Sequence, residues 1–221
     1  MKIGIVGAGR IGGNAGQLFA RAGHEVMFSG SRDPARLEQL AAAAAGGARS
    51  GSPREAVEFG EVVFFSVPWT AVDELLRQTG SLAGKIVVDT TNQYGRGGWE
   101  QLPKSAAQTN QERMPGARLV KAFNTLTAGF QAEAAGRGVA MFMAGEDAGA
   151  KEVVASLIRD IGFAPIDVGG WAEVSITEAP RRDGAVYGEE YSGEDGLRIA
   201  AALRRDPHEA ARLARELRVN G

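Results

Sequence analysis

The chain contains no cysteine and only two histidines in 221 residues. Without thiols it forms neither disulfides nor thiolate metal sites, so any redox chemistry has to come from a bound cofactor. His24 falls in the turn Ala22-Gly23-His24 and His208 in a polar C-terminal helix, positions that argue against a histidine-dependent dehydrogenase. Basic and acidic residues nearly cancel to a formal net charge of −2, which leaves no field to steer the chain toward nucleic acid. No uninterrupted apolar run approaches the roughly 20 residues of a membrane span. Met1-Lys2 leads directly into a core strand with no signal-peptide pattern, so the expectation is a soluble, cytoplasmic protein without a membrane partner. No acid–base dyad, triad or metal-binding cluster stands out, and no catalytic residue or metal ligand is assigned.

Against these absences stands the segment Lys2 to Arg32, which reads as strand, glycine turn, helix and second strand. Gly7, Gly9 and Gly12 form a G-x-G-x-x-G immediately after the apolar run Ile3 to Val6. Gly7 permits the tight turn, Gly9 leaves room for a pyrophosphate, and Gly12 lets the helix sit close to the strand. The new helix, starting near Arg10 and Ile11 and running to about Ala22, directs its free N–H groups at the phosphates. A dinucleotide site follows.

The second strand, His24 to Phe28, sets the choice of nucleotide. NAD-specific sites place an Asp or Glu at its end to hold the ribose diol. Here the sequence is Phe28-Ser29-Gly30-Ser31-Arg32, with no acid until Asp33. Ser29 and Ser31 offer hydroxyls, while Arg32 and Arg36, one helical turn later, can meet a 2′-phosphate whose shape and charge suit a guanidinium fork. NADPH is the expected nucleotide. On the competing reading both arginines are solvated charges, and Asp33 caps the next helix with Pro34 in its first turn.

A content of 44% hydrophobic residues suffices for one substantial core. Helices are expected over 34–45, from Pro53 after a Ser52 cap, and over 71–77, 104–113 and 147–161. Strands are expected at 48–49, 62–67, 85–89, 118–123, 140–144 and 163–168. The apolar run Val62 to Val67 is of the kind buried on both sheet faces. The class is α/β, a Rossmann-type doubly wound, mostly parallel sheet with its last two strands extending one edge. Residues 1–170 are assigned to this nucleotide-binding domain. Residues 171–221, with a short helix at 173–179, a loop at 181–191 and helices at 193–203 and 207–217, form a small C-terminal region. That region is expected to cover the cofactor cleft, a partner subunit, or both.

Ligands on such sheets bind beyond the carboxyl ends of the strands. There the chain carries Ser66-Val67-Pro68-Trp69, Asp89-Thr90-Thr91-Asn92-Gln93-Tyr94 and Phe123-Asn124-Thr125. Trp69 either stacks on a planar ring or packs under the following helix. Asn92 and Asn124 either recognise a nicotinamide carboxamide and a polar substrate ring or cap local turns. Asp89 is a candidate base or a turn cap. The loop Val186-Tyr187-Gly188-Glu189-Glu190-Tyr191 pairs two aromatic rings with a glycine between them.

In order along the chain, IGIVGAGRIGG, SGSR at 29–32, SVPW at 66–69, VDTTNQYG at 88–95, VKAFNTL at 120–126 and GFAPIDVG at 162–169 resemble the reductases that pass hydride between NADPH and the deazaflavin coenzyme F420. They are also similar to the N-terminal domain of transmembrane metalloreductases. The resemblance spans about residues 1 to 178. It implies that Ser31 and Arg32 meet the 2′-phosphate, that Val67, Pro68 and Trp69 adjoin the nicotinamide, and that Asn92 and Asn124 line the space for a second ring. It also implies a homodimer packed through the C-terminal helices. The departures lie on the acceptor side, around Asn124, at Ser175 and in the segment Gly184 to Tyr191. The leading expectation is hydride transfer between NADPH and F420, FMN, FAD or a similar flat acceptor. The alternatives are reduction of a small carbonyl or imine, with Asp89 or Tyr94 as the acid, and a non-catalytic NADPH sensor or structural subunit.

Overall fold

The computed structural model describes residues 1–31 and 33–218. The chain begins with β1 (Lys2–Val6), α1 (Arg10–Arg21) and β2 (Glu25–Ser29), followed by α2 (Pro34–Ala43), β3 (Arg49–Ser50) and α3 (Pro53–Phe59). It then turns back to β4 (Val62–Phe65), α4 (Val72–Thr79) and β5 (Ile86–Asp89). A small hairpin of β6 (Tyr94–Gly95) and β7 (Gly98–Trp99) precedes α5 (Ala106–Arg113) and β8 (Arg118–Ala122). The remainder comprises α6 (Ala128–Ala134), β9 (Ala140–Ala144), α7 (Ala148–Asp160), β10 (Ala164–Asp167), α8 (Gly193–Leu203) and α9 (Pro207–Leu217).

One eight-stranded sheet runs β10-β9-β8-β5-β4-β1-β2-β3, and only the β8–β9 pairing is antiparallel. This is the doubly wound, mostly parallel sheet expected, with β9 and β10 extending the β8 edge. Every residue of β4, β5 and β9 is buried, because helices cover both faces. One face packs Phe19, Phe64 and Phe123 edge to face, the last two with ring centroids 5.0 Å apart. On the other, Val63, Phe65, Val87 and Leu119 pack with residues of α3, α4 and α5. A further cluster of Phe142, Ile166, Tyr191 and Ile199 seats α8 against β9 and β10.

The helix expected over 34–45 stops at Ala43. Ala44 leaves the helix in an extended conformation, ψ 146°, and a 3₁₀ turn at Ala45–Gly47 follows in which Gly46 takes the left-handed φ of 69°. The expected short helix near 173–179 is a 3₁₀ turn, Val174–Thr177. Two elements have no counterpart in the sequence reading, the β6–β7 hairpin and α6. The hairpin's two-residue strands are too short to show a period, and it is fastened from afar, Trp99 Nε1 donating to Ala179 O at 3.1 Å. Among the described residues no helix is long and apolar enough to cross a membrane.

The direction of winding reverses between β1 and β4. Loops leaving their carboxyl ends therefore diverge and open a crevice, the usual ligand position on an open α/β sheet.

Candidate functional site

The crevice starts at the glycine turn. Gly7 has φ 99°, and a β-carbon there would stand 2.2 Å from the Ser66 carbonyl oxygen. At Gly12 a β-carbon would lie 2.2 Å from Gly7 O, so α1 approaches β1 as closely as backbone allows. Gly9 differs: a β-carbon there would meet nothing within 4 Å among the described residues. The Ser29 carbonyl accepts from both Gly7 N and Ala8 N at 3.0 Å and fixes the turn against the end of β2. Helix α1 opens on Gly9 with no side-chain cap, whereas α2, α3 and α5 to α9 each open on a capping Ser, Thr or Asp. Its first-turn N–H groups stay available to an anion.

A cleft of about 630 Å³ extends from this turn across the ends of β4, β5 and β8. Its wall includes Gly9, Arg10 and Ile11, then Val67, Pro68 and Trp69, then Asn92 and Asn124. Trp69 is almost fully buried, with the Arg113 guanidinium carbon 4.4 Å from its ring centroid. It is thus a packed residue that also contributes to the cleft wall.

Asn92 and Asn124 clasp each other instead of capping local turns. Asn92 Nδ2 donates to Asn124 O at 3.0 Å, and Asn124 Nδ2 donates to Thr177 O at 2.7 Å. Asn92 Oδ1 accepts from Ala179 N at 3.2 Å. The preceding Phe123, at φ 61°, is the one non-glycine residue in the left-handed region among the described residues. Its ring is locked in the aromatic core and its carbonyl accepts from Gln131 Nε2, so packing holds a conformation the backbone alone disfavours. Asn124 Oδ1 and Thr125 Oγ1 are buried and have no hydrogen-bond partner among the described residues. A buried polar atom left unpaired costs about 1–3 kcal/mol, and both residues line the cleft. Among the described residues, unpaired acceptors, open space over Gly9 and an uncapped helix together fit a nicotinamide dinucleotide.

Beneath this floor lies a buried charge network. The Lys121 ammonium stands 3.0 Å from Asp89 Oδ2 and 4.0 Å from Glu178 Oε1, and all three residues are at most 3% exposed. Lys121 Nζ also donates to Thr91 O. Asp89 accepts from Thr91 N at 2.9 Å and Asn110 Nδ2 at 3.1 Å. Glu178 accepts from Ala106 N and Ala107 N, the first N–H groups of α5. Asp89 is therefore structural and is withdrawn from the candidates for a base.

The C-terminal segment contributes to the cleft wall of the same chain. Arg181, Tyr187 and Gly188 belong to its wall, and Gly188 N donates to Thr125 O at 2.9 Å. The hydroxyls of Tyr187 and Tyr94 lie 3.2 Å apart. Burial, reinforced by that contact, raises the Tyr187 pKa well above the ordinary tyrosine value, so its hydroxyl stays protonated. These lining residues, with Thr90, Thr91 and Thr125, were not among the assigned site residues. Only the glycine between two aromatic rings at 187–191 marked the segment in the sequence.

The family model described as "NADP oxidoreductase coenzyme F420-dependent" matches residues 2–93. The chain is 31% identical over 181 residues to the metalloreductase STEAP3 of Rattus norvegicus, an alignment covering 80% of this chain and 36% of that protein. It thus spans about a third of that curated relative's length. A solved structure of a hypothetical protein from Sinorhizobium meliloti superposes with a TM-score of 0.76 at 28% identity, covering 87% of this chain and 95% of the other. A putative F420-dependent NADP-reductase from Arthrobacter sp. FB24 superposes with a TM-score of 0.67 at 27% identity, covering 78% and 86%. The chain is a Rossmann-fold protein related to the F420-dependent NADP reductases.

Within this Rossmann-type fold the assigned residues separate by position. Gly7 and Gly12 shape the turn from below, while Gly9, Arg10, Ile11, Val67, Pro68, Trp69, Asn92 and Asn124 reach the cleft. Ser29 is corrected: its hydroxyl is fully buried and donates to Ile5 O at 2.7 Å, so it is not a phosphate donor. Asp33 caps α2 through Ala35 N and Arg36 N, with Pro34 at the first helical position. No carboxylate is left for a ribose diol at that strand end. Ser31 Oγ accepts from Asp33 N at 3.1 Å, and Arg36 is exposed in the first turn of α2. Arg32 lies outside the described residues.

Proposed function

We propose that this chain passes hydride directly between NADPH and a flat, flavin-like or deazaflavin acceptor held in the same cleft. The observation that carries the reading is the character of the cleft wall: polar acceptors and apolar surface, with no carboxylate or histidine among its described lining residues. Direct transfer between two aligned rings needs close positioning and little proton traffic. The kinship with F420-dependent NADP reductases points the same way.

When bound, NADPH supplies the hydride. The α1 N-terminus and Gly9 would cradle its pyrophosphate, with Ser31, Arg32 and Arg36 at the 2′-phosphate. Asn124 Oδ1 and Thr125 Oγ1 would hold the carboxamide and fix the ring's orientation. Val67 and Trp69 give that ring an apolar wall that excludes water. Reduction of a small carbonyl or imine would need an acid in the cleft. Asp89 is spent in the buried network, so such a reaction would have to draw on the paired hydroxyls of Tyr94 and Tyr187.

The test is anaerobic mixing of the protein and NADPH with F420, FMN or FAD, following nicotinamide and acceptor absorbance together. Matched stoichiometric changes with one acceptor are expected. Tight NADPH binding with no acceptor reduced would replace this reading with a nucleotide sensor.

Arg32→Ala should weaken NADPH by roughly 10- to 100-fold, the worth of a charge-assisted hydrogen bond or two, and NADH by much less. Equal weakening in parallel titrations would remove Arg32 from the 2′-phosphate.

Asn124→Ala should lower the rate of hydride transfer about 10-fold or more by loosening the ring, while the affinity for adenosine 2′,5′-bisphosphate holds. An unchanged single-turnover rate would remove Asn124 from the carboxamide site.

A further inference from the structure

The charges of the cleft wall are unevenly placed. Among its described residues the wall holds two cations, Arg10 and Arg181, and no carboxylate. Arg10 belongs to the first turn of α1, beside the glycine turn. Arg181 comes from the C-terminal segment and belongs to different company. Its aliphatic stem packs about Gly188, whose absent β-carbon would lie 3.5 Å from Arg181 Cδ. Gly188 is in turn bonded to Thr125, and its neighbour Tyr187 meets Tyr94 across the cleft mouth.

Among the described residues Arg181 is held in place by one side-chain hydrogen bond. Its Nε donates to Glu189 Oε1 at 2.8 Å, and Glu189, only 8% exposed, also lies 3.7 Å from Arg218 Nη1. Among the described residues two guanidinium groups thus share this carboxylate. The Arg181 side chain is 63% exposed, and among the described residues the bond through Nε leaves both terminal amino groups of the fork for a ligand. A guanidinium fork beside two tyrosine rings suits a molecule that joins a flat ring to an oxyanion.

We propose that Arg181, with Tyr94 and Tyr187, forms a subsite for the phosphate-bearing side chain of the hydride acceptor. This rests on the hydride-transfer reading of the cleft and adds a preference for phosphorylated acceptors over neutral ones. Through Gly188 the subsite adjoins Thr125, at the nicotinamide end of the cleft, and not the glycine turn that would serve the pyrophosphate.

The experiment titrates the NADP⁺-saturated full chain with FMN and with riboflavin, which share a ring and differ by the phosphate, following flavin fluorescence. FMN is expected to bind at least about 10-fold tighter, as one charge-assisted contact predicts. In Arg181→Gln the two affinities should converge through loss of FMN binding, with riboflavin moving less than about twofold. Glu189 keeps Arg218 as a partner in that variant. The melting temperature should stay near that of the unaltered chain. FAD and F420 in parallel separate a monoester from a diester requirement. Equal binding of FMN and riboflavin, binding of neither, or an FMN preference that survives Arg181→Gln would overturn the subsite. So would a loss of NADPH affinity in Arg181→Gln as large as the loss for FMN.

Adding NADPH to the same mixtures keeps the two readings apart. FMN that binds through Arg181 but is not reduced leaves the subsite standing and removes hydride transfer to flavins. Equal binding and reduction of both flavins does the reverse.

Discussion

Replacing Lys121 with methionine is expected to lower the unfolding free energy by about 3–5 kcal/mol, the cost of leaving a buried charge uncompensated. For a chain of this size that is a fall in melting temperature of very roughly 6–20 °C. Methionine keeps the length of the side chain, so the loss is mostly electrostatic. Asp89 and Glu178 each lose the ammonium between them, 3.0 and 4.0 Å away, and neither has solvent to turn to. The bonds from Asn110 to Asp89 and from α5 to Glu178 still hold both carboxylates in place. A double-mutant cycle with Asp89→Asn separates charge from packing. The pair should be less damaging than the sum of the singles by about 1–3 kcal/mol, read from urea melts. Strict additivity would mean that Lys121 and Asp89 do not interact. The variant should also bind nicotinamide-side ligands less well, because Lys121 holds the carbonyl of Thr91, next to Asn92.

This network shows why the sequence revealed the scaffold more fully than the site. The glycine turn, the buried strands and the caps of α2 and α3 are local patterns within a few residues of each other. They signalled the first half of the fold and the nucleotide end of the cleft. The Asn92–Asn124 clasp joins residues 32 apart, and the Ala179–Asn92 bond residues 87 apart. No spacing rule encodes either. Strand ends alone made the asparagines candidates, and they left open whether the side chains served a ligand or a turn. Ser29 was misread by a single position. The second strand was expected to end at Phe28, whereas pairing continues through Ser29 opposite Val6. One more residue in register turned an apparent phosphate donor into a buried bond to Ile5. Asp89 shows the opposite limit. A carboxylate at a strand end has the same appearance in sequence whether it acts on a substrate or neutralises a lysine.

Substituting alanine at Gly9 and at Gly12 should separate binding from folding within a single motif. At Gly9, φ is −74° and an added methyl would meet no atom of the described residues within 4 Å, so the backbone tolerates it. The free protein should melt within a few degrees of the unaltered chain, since a glycine-to-alanine change at an N-cap costs at most about 1 kcal/mol. The methyl would stand where a pyrophosphate must approach the backbone, and crowding of that kind costs about 1–3 kcal/mol, or roughly 5- to 150-fold in NADPH affinity. At Gly12 the methyl would lie 2.2 Å from Gly7 O, a backbone atom that cannot turn aside. To relieve that contact α1 must move off β1, or the turn at Gly7 must open. Gly12→Ala should therefore lose stability and NADPH binding together, and Gly9→Ala binding alone. Thermal melts with NADPH titrations of the two variants decide the matter. Unaltered NADPH affinity in Gly9→Ala would mean that the phosphates do not cross this turn, and the whole nucleotide would have to be placed elsewhere in the cleft.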